Sequence, residues 1–199
     1  MVRTGRRPGP SSTRGQIVAA AAECFAADGY DATSVRRVAA QAGVDPALVR
    51  RFFGGKEQLF TEVASALIDP ELALAAVTDG PAGEAGERLL SYFLTLLGDV
   101  SQPGPYFGLI KSAVTSEHAA DLMRRFLAER VLGRIAATLH ADRPSLRAAL
   151  VASQLVGLAV TRYAIRLDPL TVADPGELVR WVAPVLQYYL TNTQLEAES

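Results

Sequence analysis

The chain has 199 residues, 49% of them apolar, and a formal net charge of −1. That length carries a sizeable core, and that apolar content excludes a chain disordered throughout. The single cysteine, Cys24, excludes an intrachain disulfide and fits a reducing cytoplasm.

Residues 1–11 (MVRTGRRPGPS) read as a flexible basic tail, rich in Gly and Pro. No apolar stretch follows Arg3, Arg6 and Arg7, so the tail is not a signal peptide. Helical spacing then predicts a first helix from Thr13 to Ala27. Ile17, Ala20, Ala21, Cys24 and Phe25 form its stripe, Thr13 and Gln16 its capping box, and Gly29 its end. A second helix follows Thr33 as N-cap and buries Val35, Val38, Ala39 and Ala42. Gly43 supplies a left-handed corner. Asp45 caps a short third helix with Pro46 at its first position, ending near Gly54-Gly55. A fourth helix runs from Lys56 to Leu67. Residues 69–86 carry breakers at Pro70, Gly80, Pro81 and Gly83 and read as a poorly ordered connection. Further helices are expected at 84–98, 105–115, 117–139, 145–167 and 175–192. There is no strand alternation, so the chain is all-α. The apolar run Ala148 to Val160 is 13 residues long, too short to span a bilayer, and reads as a buried helix. No membrane partner is expected.

The net charge conceals a split. Residues 1–56 hold nine Lys/Arg against four Asp/Glu, while residues 57–199 hold eleven against seventeen. A basic head on an acidic body implies that the head meets a polyanion. On the third helix, Val49 and Phe53 share one face, and Ala47, Arg50 and Arg51 share another. Arginine forks match phosphate oxygens and the O6/N7 edge of guanine. The two adjacent arginines are therefore explained if this face enters a DNA major groove. Two short helices about a glycine corner form a helix-turn-helix.

The stretch Ala32 to Phe60, ATSVRRVAAQAGVDPALVRRFFGGKEQLF, resembles the DNA-binding signature of the tetracycline-repressor (TetR) family. Thr33-Ser34-Val35, Ala42-Gly43-Val44 and Phe53-Gly54-Gly55-Lys56-Glu57 carry the likeness. It implies an N-terminal three-helix DNA-binding domain, residues 12–56, and a larger helical effector-binding and dimerisation domain, residues 57–199. It implies a transcriptional repressor that binds a palindromic double-stranded operator as a homodimer. By position, Pro46, Ala47 and Leu48 sit nearest the bases. Arg50, Arg51 and Phe52 follow along groove and backbone, and Thr33, Ser34 and Lys56 touch phosphates. Two departures stand out: Arg50 replaces a common Tyr or His, and Phe52 replaces a Tyr and so offers no hydroxyl to a phosphate.

The helices of the body are too apolar to be solvated singly. On the last two long helices, Leu155, Val156, Ala159, Leu178, Trp181, Val182 and Val185 are the expected dimer interface, as the family's four-helix contact implies. The resemblance also implies a pocket for an apolar small-molecule effector, with Phe93, Phe107, Ile110, Met123, Phe126, Leu127 and Tyr163 as lining. His118, His140, Gln154 and Arg166 are its candidate polar groups. No cofactor or metal is expected. Neither histidine has a Glu three residues before it, and there is no G-x-S-x-G, P-loop or cysteine pair, so nothing points to an enzyme. A helical adaptor whose basic head meets an acidic protein remains the alternative.

Overall fold

Every regular element among residues 10–192, those that this computed structural model describes, is helical. The expected basic tail lies outside the described residues but for its last two positions, which already belong to the first helix. That helix, α1, runs Pro10–Ala32, so Thr13 and Gln16 lie inside it and cap nothing. Its stripe is buried as the spacing requires: Ile17, Ala20, Ala21, Cys24 and Phe25. The backbone leaves helical geometry at Gly29 (φ 77°, ψ 173°), where the regular helix was expected to stop.

α2 (Val35–Ala42) and α3 (Pro46–Phe53) meet at Gly43, which is left-handed at φ 65°, ψ 33°. A side chain there would be strained, so glycine sets the angle between the helices. The N-cap of α2 is Ser34 rather than Thr33. Ser34 Oγ accepts from the Arg37 amide at 3.1 Å. Thr33 turns inward, donating to the carbonyls of Gly29 (2.7 Å) and Cys24 (3.2 Å). The neighbouring Asp45 caps α3 by accepting from the Ala47 amide at 2.7 Å.

α4 (Lys56–Leu67) carries the chain from this head into the body. Phe60 joins it to α1 through edge-to-face contacts with Phe25 and Tyr30, each at 5.1 Å. The region read as a loose connection instead contains α5 (Pro70–Thr78), capped by Asp69 with Pro70 at its first position, then a 3-10 turn, Ala82–Glu84.

α6 (Ala85–Leu97) packs on α12 (Pro175–Thr191), and α7 (Pro105–Thr115) packs along α1. At Gly108 the backbones of α7 and α1 nearly touch. A Cβ there would lie 2.4 Å from Ala26 Cα and 2.6 Å from Ala26 Cβ. Gly108→Val is therefore expected to cost about 1–3 kcal/mol, the usual range for overpacking. The urea midpoint should fall with its slope unchanged. An unmoved midpoint would show that the two helices separate freely.

α8 (Glu117–Phe126) starts at its Ser116 cap and passes through a π-helical turn, Leu127–Leu132, into α9 (Gly133–Thr138). α10 (Pro144–Ala159) likewise ends in a π-helical turn, Val160–Ile165, followed by the short α11 (Asp168–Val172). The 22-residue run Pro144–Ile165 has the length and apolar character of a membrane span. Its inner face, Ala148, Val151, Leu155, Leu158 and Ala159, is nevertheless buried in the protein. Two buried arginines pin its ends. Arg147 binds Asp142 and donates to the Tyr189 carbonyl on α12 at 3.2 Å. Arg162 donates to the carbonyls of Leu170 and, at 2.9 Å, Ala173.

Candidate functional site

The sequence that folds α3 also aims it. Val49 and Phe53 are buried, which fixes the helix's rotation about its axis. Ala47, Arg50 and Arg51 are then left exposed, while Pro46, Leu48 and Phe52 are half-buried at the edges. Phe52 leans on Phe53, with ring centroids 6.2 Å apart. Leu48 is thus neither core nor free surface, and part of it faces the same side as the arginines.

The charges on this side differ in availability. Arg14 pairs with Glu62, and Arg37 pairs with Asp28 at 3.3 Å. Arg36, Arg50 and Arg51 have no ion-pair partner among the described residues. Unpaired arginines on a rigid face suit phosphate and base-edge contacts, because no internal pair must break first. Arg36 was missed in the sequence. Its signal was present: the α2 stripe at Val35, Val38, Ala39 and Ala42 leaves position 36 outward. Ser34 is exposed at the N-terminus of α2, its hydroxyl proton free for an anion beside the helix dipole.

Two expected phosphate contacts need correction. Thr33 is only 1% exposed and its hydroxyl is spent on two carbonyls, so it supports the turn from inside. Lys56 is half-buried. Its ammonium donates to the Tyr30 carbonyl at 3.1 Å and sits 4.2 Å from the centre of the Tyr30 ring. That pair holds the start of α4 against α1, and burial with the nearby Glu57 and Asp31 pushes the Tyr30 phenol up to about 12.

In the body, a small apolar cavity of about 70 Å³ lies among the end of α4, α5, α6, α7, α9, α10 and the α8–α9 π turn. Ile68, next after α4, and Ala73 of α5 line one side. Tyr92, Phe93 and Tyr106 supply aromatic surface. Leu127, Val131 and Leu132 form the π-turn wall, Ile135 continues it from α9, and Val151, Leu155 and Val156 close it from α10. Among the seven expected lining residues, Phe93 and Leu127 are here. Phe107 and Ile110 face a separate open groove with Val114, Val160 and Ala164. Tyr163 stands beside Phe107, centroids 5.6 Å apart, and donates to the Gly98 carbonyl at 2.7 Å. Met123 and Phe126 are buried outside the lining. Past Phe126 the π turn, with its wider i→i+5 repeat, brings Val131 and Leu132 to the lining instead.

The expected polar groups are elsewhere too. His118 Nε2 meets Glu57 at 3.0 Å and packs on Tyr30, joining α8 to the head. His140 lies in a different cleft with Val77 and Thr138. Gln154 and Arg166 are exposed.

The expected dimer residues divide. Leu155, Ala159 and Leu178 are buried within the protomer, and Leu155 and Val156 belong to the cavity. No partner helix can reach the buried ones. Val182 is half-buried. Trp181 is 76% exposed, and Val185 and Tyr188 are exposed beside it at i+4 and i+7. On α10, Ser153, Gln154 and Gly157 face outward.

Comparison with known proteins agrees with this geometry. The model of the tetR family of bacterial regulatory proteins matches residues 17–63, and that of the tetracyclin repressor-like C-terminal domain matches residues 83–190. The HTH-type transcriptional regulator TcmR of Streptomyces glaucescens is 30% identical over 192 residues, covering 94% of this chain and 78% of that protein. A TetR-family regulator from Streptomyces coelicolor is similar in structure, with a TM-score of 0.67 at 37% identity, covering 95% of this chain and 100% of the other. The fatty acid degradation regulator FadR from Bacillus halodurans shares the fold at TM-score 0.67 and 17% identity, covering 87% and 97%. The chain therefore belongs to the TetR family, and it is a DNA-binding transcriptional regulator.

Proposed function

We propose that the protein is a homodimeric repressor that leaves its palindromic operator when an apolar small molecule fills the body. It acts in the cytoplasm, by binding rather than by catalysis. Residues 12–56 serve as the DNA-binding unit and 57–199 as the effector and dimerisation unit. The observation that carries the DNA contact is the unpaired Arg50–Arg51 face held outward by buried Val49 and Phe53.

The exposed stripe Trp181, Val185 and Tyr188 supports the dimer. A tryptophan left 76% exposed beside two further apolar side chains is surface that a second copy would cover. Gly157 on α10 has open space where a Cβ would stand, which permits close helix approach. Trp181→Arg with Val185→Arg is expected to give a monomer with unchanged helical circular dichroism, since both positions are exposed in the protomer. Light scattering should show half the wild-type mass. A wild type that is already monomeric would contradict the dimer.

The cavity supports the switch. Its lining includes Ile68, where α4 ends, and the turn that continues α8. Both helices reach the head. α4 does so through Phe60, and α8 through His118 against the Tyr30 ring and the Ser116–Asp31 hydrogen bond at 3.0 Å. α7 also couples the two regions: Tyr106 lines the cavity, and Gly108 packs on α1. A ligand acts only through unequal affinity for two states. A coupling of about 1–3 kcal/mol would weaken operator binding roughly 5- to 150-fold. Operator DNA must weaken effector binding by the same factor. Titrating a bound apolar compound with and without operator tests this, and an affinity indifferent to DNA would remove the switch.

A further inference from the structure

The cavity's chemistry is uneven. No charged side chain lines it, and the polar lining side chains are the phenols of Tyr92 and Tyr106. The Tyr92 hydroxyl is engaged, donating to the Asp69 carbonyl at 3.3 Å. Tyr106 differs. Its residue is 8% exposed, its ring meets Phe93 edge-to-face at 5.5 Å, and its hydroxyl makes no hydrogen bond to a described residue. The hydroxyl is not sealed either, because among the described residues Arg162 Nε is the only fully enclosed side-chain atom without a partner. Tyr106, its ring buried and part of the lining, is thus the cavity's unengaged hydrogen-bond donor. Burial also pushes the Tyr106 phenol well above its ordinary value, so it stays a neutral donor.

Resting on the effector reading above, we propose that this cavity takes an uncharged, hydrophobic ligand bearing a carbonyl oxygen, which accepts a hydrogen bond from Tyr106. A carboxylate or an amine would enter without a counter-charge and would lose its hydration uncompensated. A bare hydrocarbon would leave the Tyr106 hydroxyl unmatched. The position of Tyr106 gives the contact a consequence. Two residues later, Gly108 lies against Ala26 of α1, and Ser112 further along α7 reaches the Phe25 carbonyl at 3.5 Å. A ligand held by Tyr106 thus bears on the helix most closely joined to the head.

The test uses the full chain and three compounds of similar size, 1-tetralone, tetralin and 1-naphthoate, titrated calorimetrically into wild type and Tyr106→Phe. In wild type, tetralone and tetralin should bind and naphthoate should not. In Tyr106→Phe, tetralone should weaken by about 2- to 10-fold, the span of one neutral hydrogen bond, while tetralin does not. The wild-type comparison needs no variant, so a folding defect in Tyr106→Phe leaves the neutral-ligand claim exposed to refutation. Naphthoate binding as tightly as tetralone would overturn that claim. Tetralone and tetralin responding alike to the substitution would overturn the role of Tyr106 while leaving the cavity reading intact. Failure of all three to bind would overturn both.

Discussion

Arg50→Ala and Arg51→Ala are each expected to weaken operator binding while leaving the fold intact. Both side chains are exposed, and neither has an internal partner to strand, so their loss should show in DNA affinity rather than in stability. The two modes of contact give different signatures. An arginine that reads a guanine edge should cost about 1–3 kcal/mol and relax the preference at one base position. An arginine on phosphate should weaken all sequences alike and reduce the salt slope by about one. The double variant should lose roughly the sum if the two contacts are independent. Fluorescence anisotropy across a salt series separates the cases. Unchanged binding in the singles and the double would refute the assigned face. Arg36→Ala should behave as a weaker phosphate contact.

Phe60→Ala should cost more than any exposed change. Phe60 is fully buried and meets both Phe25 and Tyr30 edge-to-face, so truncation leaves a cavity where α4 crosses α1. Losses of about 3–5 kcal/mol are usual for a buried Phe reduced to Ala. Against a total stability of roughly 5–15 kcal/mol, that moves the unfolding midpoint far. DNA binding should fall in parallel with the folded fraction. A loss below about 1 kcal/mol in denaturant titration would show that the aromatic cluster collapses around the gap, and that the head does not depend on this joint.

The head was legible in the sequence for stated physical reasons. Buried Val49 and Phe53 lie four apart, and a glycine stands where the chain needs positive φ, so period and backbone chemistry agree. Where two residues satisfied one rule, the sequence could not choose. Thr33 and Ser34 both cap helices well. The carbonyls of Gly29 and Cys24, which draw Thr33 inward, are set by how α1 ends. α5 was missed because Pro70 was read as a breaker. It stands after Asp69 just as Pro46 stands after Asp45 and Pro175 after Asp174, and each pair starts a helix. The cavity lining was missed in part because the π turn at Leu127–Leu132 sets the register of Val131 and Leu132 without leaving a mark in hydrophobic spacing, and in part because Phe107 and Ile110 of α7 turn to a different groove. Apolar content alone also could not tell which side of α10 and α12 faced the core. Leu155 and Leu178 point in, and Trp181 points out.

The central claim is that the α3 face reads DNA sequence, and selection of bound duplexes from a random pool by the purified protein tests it most directly. One enriched motif of two-fold symmetry is expected, with half-site centres a helical turn or a multiple of it apart. That motif should bind at least roughly 10³-fold tighter than a scrambled duplex, with log affinity falling linearly as log salt rises. A pool that enriches no motif, or binding that is equal for motif and scramble at every salt concentration, would contradict it.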